Sequence, residues 1–232
     1  MKKVAIMQPY FFPYIGYWQA INAVDEYVLY DDVTYIKGGW INRNNILINK
    51  QANLITLPLE GASSFKKINE ISVTSNAKVK EKLCKSISMA YAKAPYFNDV
   101  YPLIEKSIMK DGIISQIIYE SVLDICNYIG IKTKILLSSN INKNTELKAE
   151  EKVIDIVKNL GGTTYINAIG GQELYDAQEF KNNGIDLFFI RTKRFEYPQF
   201  KNEFVANLSI IDVMMFNSPE QIKRMLDDYE LI

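Results

Sequence analysis

Histidine is absent from all 232 residues. Proton transfer therefore falls to Asp, Glu, Lys, Tyr, Cys, a substrate group or water, and Ser–His, Cys–His and the usual zinc chemistry are excluded. Four constellations carry groups suited to such work. The first joins the loop from Gln8 to Trp18 with Asp31-Asp32. Gly16 opens the start of a helix, where unpaired N–H groups can hold a phosphate, while an aspartate takes a metal ion or a ribose hydroxyl. Equally, the two aspartates can end a strand and cap a turn. The second is Lys37, Trp40, Asn42 and Arg43. A cation beside an indole and an amide suits a pyrophosphate or a stacked sugar ring; the alternative is an exposed loop around a partly buried tryptophan. The third is Asn167 with Gly170-Gly171, either a site at a strand end or a turn that needs glycine. The fourth is the run Arg191 to Phe204, in which Arg191, Lys193 and Arg194 can neutralise a diphosphate or decorate a solvated turn, followed by Tyr197 and Gln199. In the opening loop, Tyr10, Tyr14 and Tyr17 have hydroxyls that need partners and are site candidates, whereas Phe12, Ile15 and Trp18 are assigned to the core. No metal ligand set is assigned.

The elements that must position these groups read as α/β. Val4 to Met7 is a short apolar strand that Pro9 stops. A helix starts near Tyr17, and Glu26 to Tyr30 is the next strand. Such a βαβ unit is right-handed and parallel, which sets Gln8 and Asp31-Asp32 on one sheet edge. Ile46–Ile48 and Asn53–Leu59 are expected to pair as a hairpin around residues 49–52. Helices are expected over 76–92, 96–106, 113–129 (with Gly130 as C-cap), 150–160, 174–183 and 219–229, and strands near 134, 164 and 187. The expected architecture is a single α/β domain over 1–232, with a doubly wound, mainly parallel sheet. The mostly helical stretch 76–130 is the candidate insertion, and 138–145 is a polar loop able to act as a lid.

Lysine plus arginine balances aspartate plus glutamate at 27 each, so no bulk electrostatic attraction to nucleic acid is expected. Lys2-Lys3 precede too short an apolar run for a signal peptide, and no stretch is long enough to insert in a membrane. Cys84 and Cys126 fall in helical patterns, as buried free thiols of a cytoplasmic protein would. The loop is neither a Walker A motif nor the dinucleotide G-x-G-x-x-G.

The string IMQPYFFPYIGYWQAI closely resembles the opening of the WbqC-like family of bacterial proteins. The likeness continues through Asp31-Asp32-Val33, Trp40-Ile41-Asn42-Arg43-Asn44 and Leu57-Pro58, and resumes at Tyr197-Pro198-Gln199 and Leu208-Ser209-Ile210-Ile211-Asp212. Gln8, Tyr14, Gly16, Tyr17, Asp32, Trp40, Asn42, Arg43, Gln199 and Asp212 are its motif positions here. The resemblance implies a part in O-antigen, lipopolysaccharide or other surface-polysaccharide biosynthesis. Its implied activity is transfer of glycine or another acyl group to the amine of a nucleotide-diphosphate amino sugar. The partners would be that sugar nucleotide and an acyl or amino-acid donor. ATP with Mg²⁺ enters if the donor is activated in place, and not if it is a thioester or an aminoacyl-tRNA; no zinc is implied. In this reading Arg43 and helix N–H groups hold the pyrophosphate, while Asp32, or a tyrosinate-like Tyr14, accepts the amine proton. Two alternatives stand beside it: a non-catalytic sugar-nucleotide binding or scaffold protein, and a nucleotidyltransferase-like enzyme. The latter follows from Tyr14-Ile15-Gly16-Tyr17, which is similar in layout to the HIGH motif of nucleotidyltransferases, with tyrosines where the two histidines would stand.

Overall fold

Val4, Ala5 and Ile6 are buried on both sides, as a strand covered on two faces must be. They form the middle of β1 (Lys3–Met7) in a computed structural model that describes residues 1–232. Next come α1 (Ile15–Asn22), β2 (Glu26–Leu29) and the hairpin of β3 (Arg43–Ile48) and β4 (Gln51–Thr56). Asn49 and Lys50, both at positive φ, make its two-residue turn, tighter than the four-residue turn expected. The strands β5 (Leu59–Glu60) and β6 (Ser72–Val73) precede α2 (Ala77–Tyr91) and α3 (Phe97–Met109). β7 (Gly112–Ile113) joins β5 and β6 in a small antiparallel sheet, and α4 (Ile114–Ile129) ends at Gly130 with φ +78°. The chain continues through β8 (Lys134–Leu137), α5 (Ala149–Asn159), β9 (Thr164–Ala168), α6 (Ala177–Asn182), β10 (Asp186–Thr192), α7 (Ile210–Phe216), α8 (Pro219–Leu226) and β11 (Tyr229–Leu231).

The central sheet runs β8-β2-β1-β9-β10-β11, with only β11 antiparallel. The chain builds outward from β1 to β2 and β8, then crosses back to start β9 on the other side of β1. This is a doubly wound sheet, and the direction of winding reverses between β1 and β9. At such a reversal the helices diverge and leave a crevice beyond the carboxyl ends of the strands. Side chains alternate across the sheet. Ala5, Tyr27, Leu29 and Ile166 enter a core of 48 buried residues on the side of α1, α4, α7 and α8, whereas Val4, Ile6, Val28 and Tyr165 enter one of 10 on the side of α5 and α6. The thicker layer also takes in α2 and α3. Helix α4 packs against β8 and α8, so it is the crossover helix from β2 to β8 as well as the last of the three helices in 76–130. No helix is long and apolar enough to cross a membrane. Cys84 and Cys126 are buried and unpaired, and burial pushes their thiols up to about 11 and about 12.

One buried cation ties α2 to the end of α3. Lys80, 1% exposed, donates to the Lys110 carbonyl at 2.5 Å and pairs with Asp111 Oδ1 at 2.6 Å. A Lys80→Met substitution keeps the stem and removes the ammonium, leaving the helix-end carbonyl without its donor. Chemical denaturation is expected to show a loss of about 1–3 kcal/mol.

Candidate functional site

Two segments far apart in sequence clamp the loop after β1. Phe12 has φ +43°, which is strained for a bulky residue. Its carbonyl accepts from Asn44 Nδ2 at 2.5 Å and from Ser209 Oγ at 2.6 Å. The Pro13 carbonyl accepts from the Ile210 N–H at 2.9 Å and from Trp18 Nε1 at 3.1 Å, and the Phe11 N–H donates to the Ile41 carbonyl. A bridge between Tyr14 and Ser209 completes the clamp. The hairpin strand β3 and the first turn of α7 thus hold the loop rigid, and Tyr14 becomes the residue that caps α1.

Tyr14 lines a cavity of about 480 Å³ beside the carboxyl end of β10. Thr192, Lys193, Arg194 and Glu196 supply its polar wall, and Ile15, Phe195, Phe204 and Leu208 its apolar one. The volume lies in the range of small-molecule sites. Gln19, fully buried in α1, holds this corner: its Oε1 accepts from Thr192 Oγ1 at 2.7 Å, and its Nε2 donates to the Met225 carbonyl at 2.7 Å. Burial raises the Tyr14 phenol, which favours its protonated form. Gly16 serves packing here. A Cβ on it would stand 2.5 Å from Tyr14 Cε2 and 2.7 Å from Thr192 Oγ1, so the Tyr14 ring already occupies the space expected for a ligand. Gly16→Ala is expected to push that ring into the cavity and to destabilise the fold by about 1–3 kcal/mol, readable by thermal denaturation.

Asp32 stands elsewhere on the same edge, beyond β2. Its Oδ2 pairs with Lys152 Nζ at 3.1 Å and Lys143 Nζ at 3.2 Å, and the Lys152 ammonium lies 5.2 Å from the centre of the Tyr30 ring. Burial alone would raise the Asp32 carboxyl; the Ser138 hydroxyl and the two lysines outweigh it and hold the group below its ordinary value. A carboxylate so held is a weak proton acceptor. The neighbouring Asp31 is buried and accepts from the Ser139 N–H at 2.9 Å and Ser139 Oγ at 2.7 Å. Its side chain thus ties the end of β2 to the segment after β8, 108 residues on, rather than capping the turn that follows it.

The other candidates divide between open and internally engaged. Trp40 is half exposed, with its ring 6.0 Å from that of Tyr10, which in turn meets Tyr17 edge-on. Lys37, Arg194 and Gly170 are exposed. Arg43 has a buried Nε without a partner. Gln8 and Asn167 flank the winding reversal, Gln8 half-buried, Asn167 buried with its Oδ1 on the Ala168 N–H. By contrast Tyr17 is a core residue, its hydroxyl donating to the Gln8 carbonyl at 3.0 Å. The polar end of the second tyrosine of the HIGH-like turn thus faces the protein. Asn42 is buried between the Tyr35 hydroxyl and the Leu57 carbonyl. Tyr197 and Gln199 both donate to Asp212 Oδ1 at 2.7 Å, so their polar ends face the protein even where the Tyr197 ring touches the cavity. Lys143, Lys152, Gln19 and Glu196 were not among the sequence candidates. Lys152 was visible as the one cation on the otherwise apolar buried face of α5; Glu196 lay in a run dominated by its cations.

A family model described as the WbqC-like protein family matches residues 8–224. The chain is similar to an uncharacterized protein of Mycobacterium tuberculosis, Rv1507c, with 26% identity over 221 residues that cover 94% of each chain. No solved structure matches it.

Proposed function

The chain belongs to the WbqC-like protein family, and on that premise we propose that it is a transferase that forms an amide on the amine of a nucleotide-linked sugar. The setting would be cytoplasmic surface-polysaccharide biosynthesis, with glycine or another acyl group as the unit transferred. The observation that carries this reading is the cavity of about 480 Å³, whose wall combines a neutral phenol, two cations and a carboxylate with an apolar surface. Lys193 and Arg194 suit the anionic part of a substrate. Tyr14 can donate to the oxygen of the acyl carbonyl as charge develops on it. The sugar amine attacks the acyl carbon, the C–N bond forms, and the donor's leaving group departs with the electron pair of the broken bond. The amine proton passes to a carboxylate. Glu196 shares the cavity with Tyr14, whereas Asp32 is held by two lysines at another strand end, so Glu196 is the better placed acceptor. Amine attack needs only weak base help, which makes the lack of histidine tolerable. The donor is either an acyl phosphate made from ATP and Mg²⁺ or a thioester.

The test is incubation of the purified protein with a dTDP-amino sugar, glycine and either ATP–Mg²⁺ or a thioester donor. The expected mass spectrum shows the sugar nucleotide heavier by one acyl unit. No gain with any donor overturns the proposal. The ion-pairing of Asp32 favours a second reading, sugar-nucleotide binding without chemistry. Under it the same incubation gives saturable binding and no mass gain.

A further inference from the structure

Lys143 and Lys152 lie at the carboxyl ends of β2 and β8 with side chains only 4% and 11% exposed, and both point at a single oxygen, Asp32 Oδ2. Taking an ammonium out of water is unfavourable unless it is fully paired. Here two ammoniums share one carboxylate, and the nearby Asp31 is turned to Ser139. The pairing is also lopsided. Asp32 Oδ1 and Ser138 Oγ are both buried without a hydrogen-bond partner. Lys143 makes further bonds to the carbonyls of Ser138 and Ile141, but Lys152 makes no other hydrogen bond to an oxygen and rests on the face of Tyr30. The cluster therefore has donors to spare on Lys152, a hydroxyl beside Asp32 with no geometrically formed hydrogen bond, and a carboxylate that occupies one lobe of a larger anion's place.

We propose that Lys143, Lys152 and Ser138 form a phosphate-binding site, with Asp32 as the internal anion that a ligand phosphate displaces. A phosphate carries more charge than a carboxylate and offers three oxygens, so it can engage both lysines and the serine at once. Position agrees with this: ligands of doubly wound sheets sit beyond the carboxyl ends of the strands. Access agrees as well. Lys143 belongs to the irregular segment between Asn140 and α5, tied back chiefly by its own bonds and by the Asn144 N–H on Asp155 Oδ2 at 2.9 Å. A ligand that draws Lys143 away from Asp32 loosens that segment in the same step. The inference deepens the functional reading, on which it rests for the identity of the ligand: a phosphate group of the acyl donor would dock here, while the diphosphate of the sugar nucleotide stays with Lys193 and Arg194.

The experiment is calorimetric titration with inorganic pyrophosphate, which needs no acyl donor and no sugar. Wild-type protein is expected to bind it, with affinity falling as salt rises. Lys143→Gln and Lys152→Gln are each expected to weaken binding at least tenfold. Asp32→Asn removes the competing anion and keeps both cations, so it is expected to tighten binding severalfold. A purely structural ion pair predicts the opposite or no change for Asp32→Asn, and that variant decides the matter if a lysine variant does not fold. No binding to wild type, wild-type affinity in both lysine variants, or unchanged or weakened binding to Asp32→Asn overturns the proposal. Transfer activity with no pyrophosphate site strikes this inference alone; a pyrophosphate site with no transfer strikes only the functional reading.

Discussion

Asp212→Ala is expected to lower the unfolding free energy by about 3–5 kcal/mol, because it leaves three buried donors without an acceptor. The carboxylate is fully buried in the first turn of α7. Its Oδ1 accepts from Tyr197 Oη and Gln199 Nε2, both at 2.7 Å, and its Oδ2 from Tyr91 Oη at 2.8 Å. Each donor reaches further. Tyr91, at the end of α2, accepts from the Leu47 N–H of β3, and Gln199 holds Val205 by both its N–H and its carbonyl. One carboxylate thus joins α2, β3, α7 and the loop that walls the cavity. For a chain of this length the melting temperature should fall by on the order of 10 °C. Asp212→Asn should lose less: its amide oxygen still serves Tyr197 and Gln199, and only the Tyr91 proton is stranded. The two variants also separate by pH. Burial raises the Asp212 carboxyl above its ordinary value even though Tyr197, Tyr91 and Gln199 pull it down. The native state therefore keeps the proton longer than the unfolded chain. The Asp212 contribution is fullest in acid and declines as pH rises from the ordinary carboxylate value through the raised one. The advantage of wild type over Asp212→Asn should shrink across that window; an advantage that grows would contradict the assignment.

Tyr14→Phe should reduce turnover by about 10²–10³-fold if the phenol donates to the developing oxyanion. The ring, which fills the space over Gly16, is retained, so the fold should be little changed. Steady-state kinetics distinguishes the roles: loss in kcat with KM held marks a donor used in the transition state. A rise in KM alone would mark a binding contact.

The regular elements were legible because buried strands and amphipathic helices impose their periods on the sequence: β1, β2, β8, β9, α4 and the cap at Gly130 stand where the pattern sets them. β11 was not, since Tyr229–Leu231 is three residues with an exposed acidic centre and pairs only because β10 leaves an open edge. Helix α6 begins at Ala177 rather than near Leu174 because Asp176 accepts from the Gln178 N–H, while Ile169–Leu174 forms a 3₁₀ turn. The site was legible in kind but not in direction. Tyr14, Arg194 and Tyr197 meet at one cavity, whereas Tyr17, Asn42, Tyr197 and Gln199 turn their polar groups inward. Residue type shows that a hydroxyl or amide needs a partner; it does not show on which side the partner lies. Lys143 escaped for the same reason, since a lysine in a polar loop reads as solvated until the fold places a carboxylate beside it.

The strained carbonyl of Phe12 has a consequence for how the molecule comes into being. Its two hydrogen-bond donors are Asn44, made soon after it, and Ser209, made almost two hundred residues later. On the ribosome the opening motif therefore waits through the synthesis of almost two hundred further residues for the one that holds it in shape. The contact is among the longest-range in the chain, and closing such contacts is slow. Nascent chains that stop short of Ser209 should carry the motif in full and yet lack the pocket it builds, leaving aromatic side chains open to chaperones.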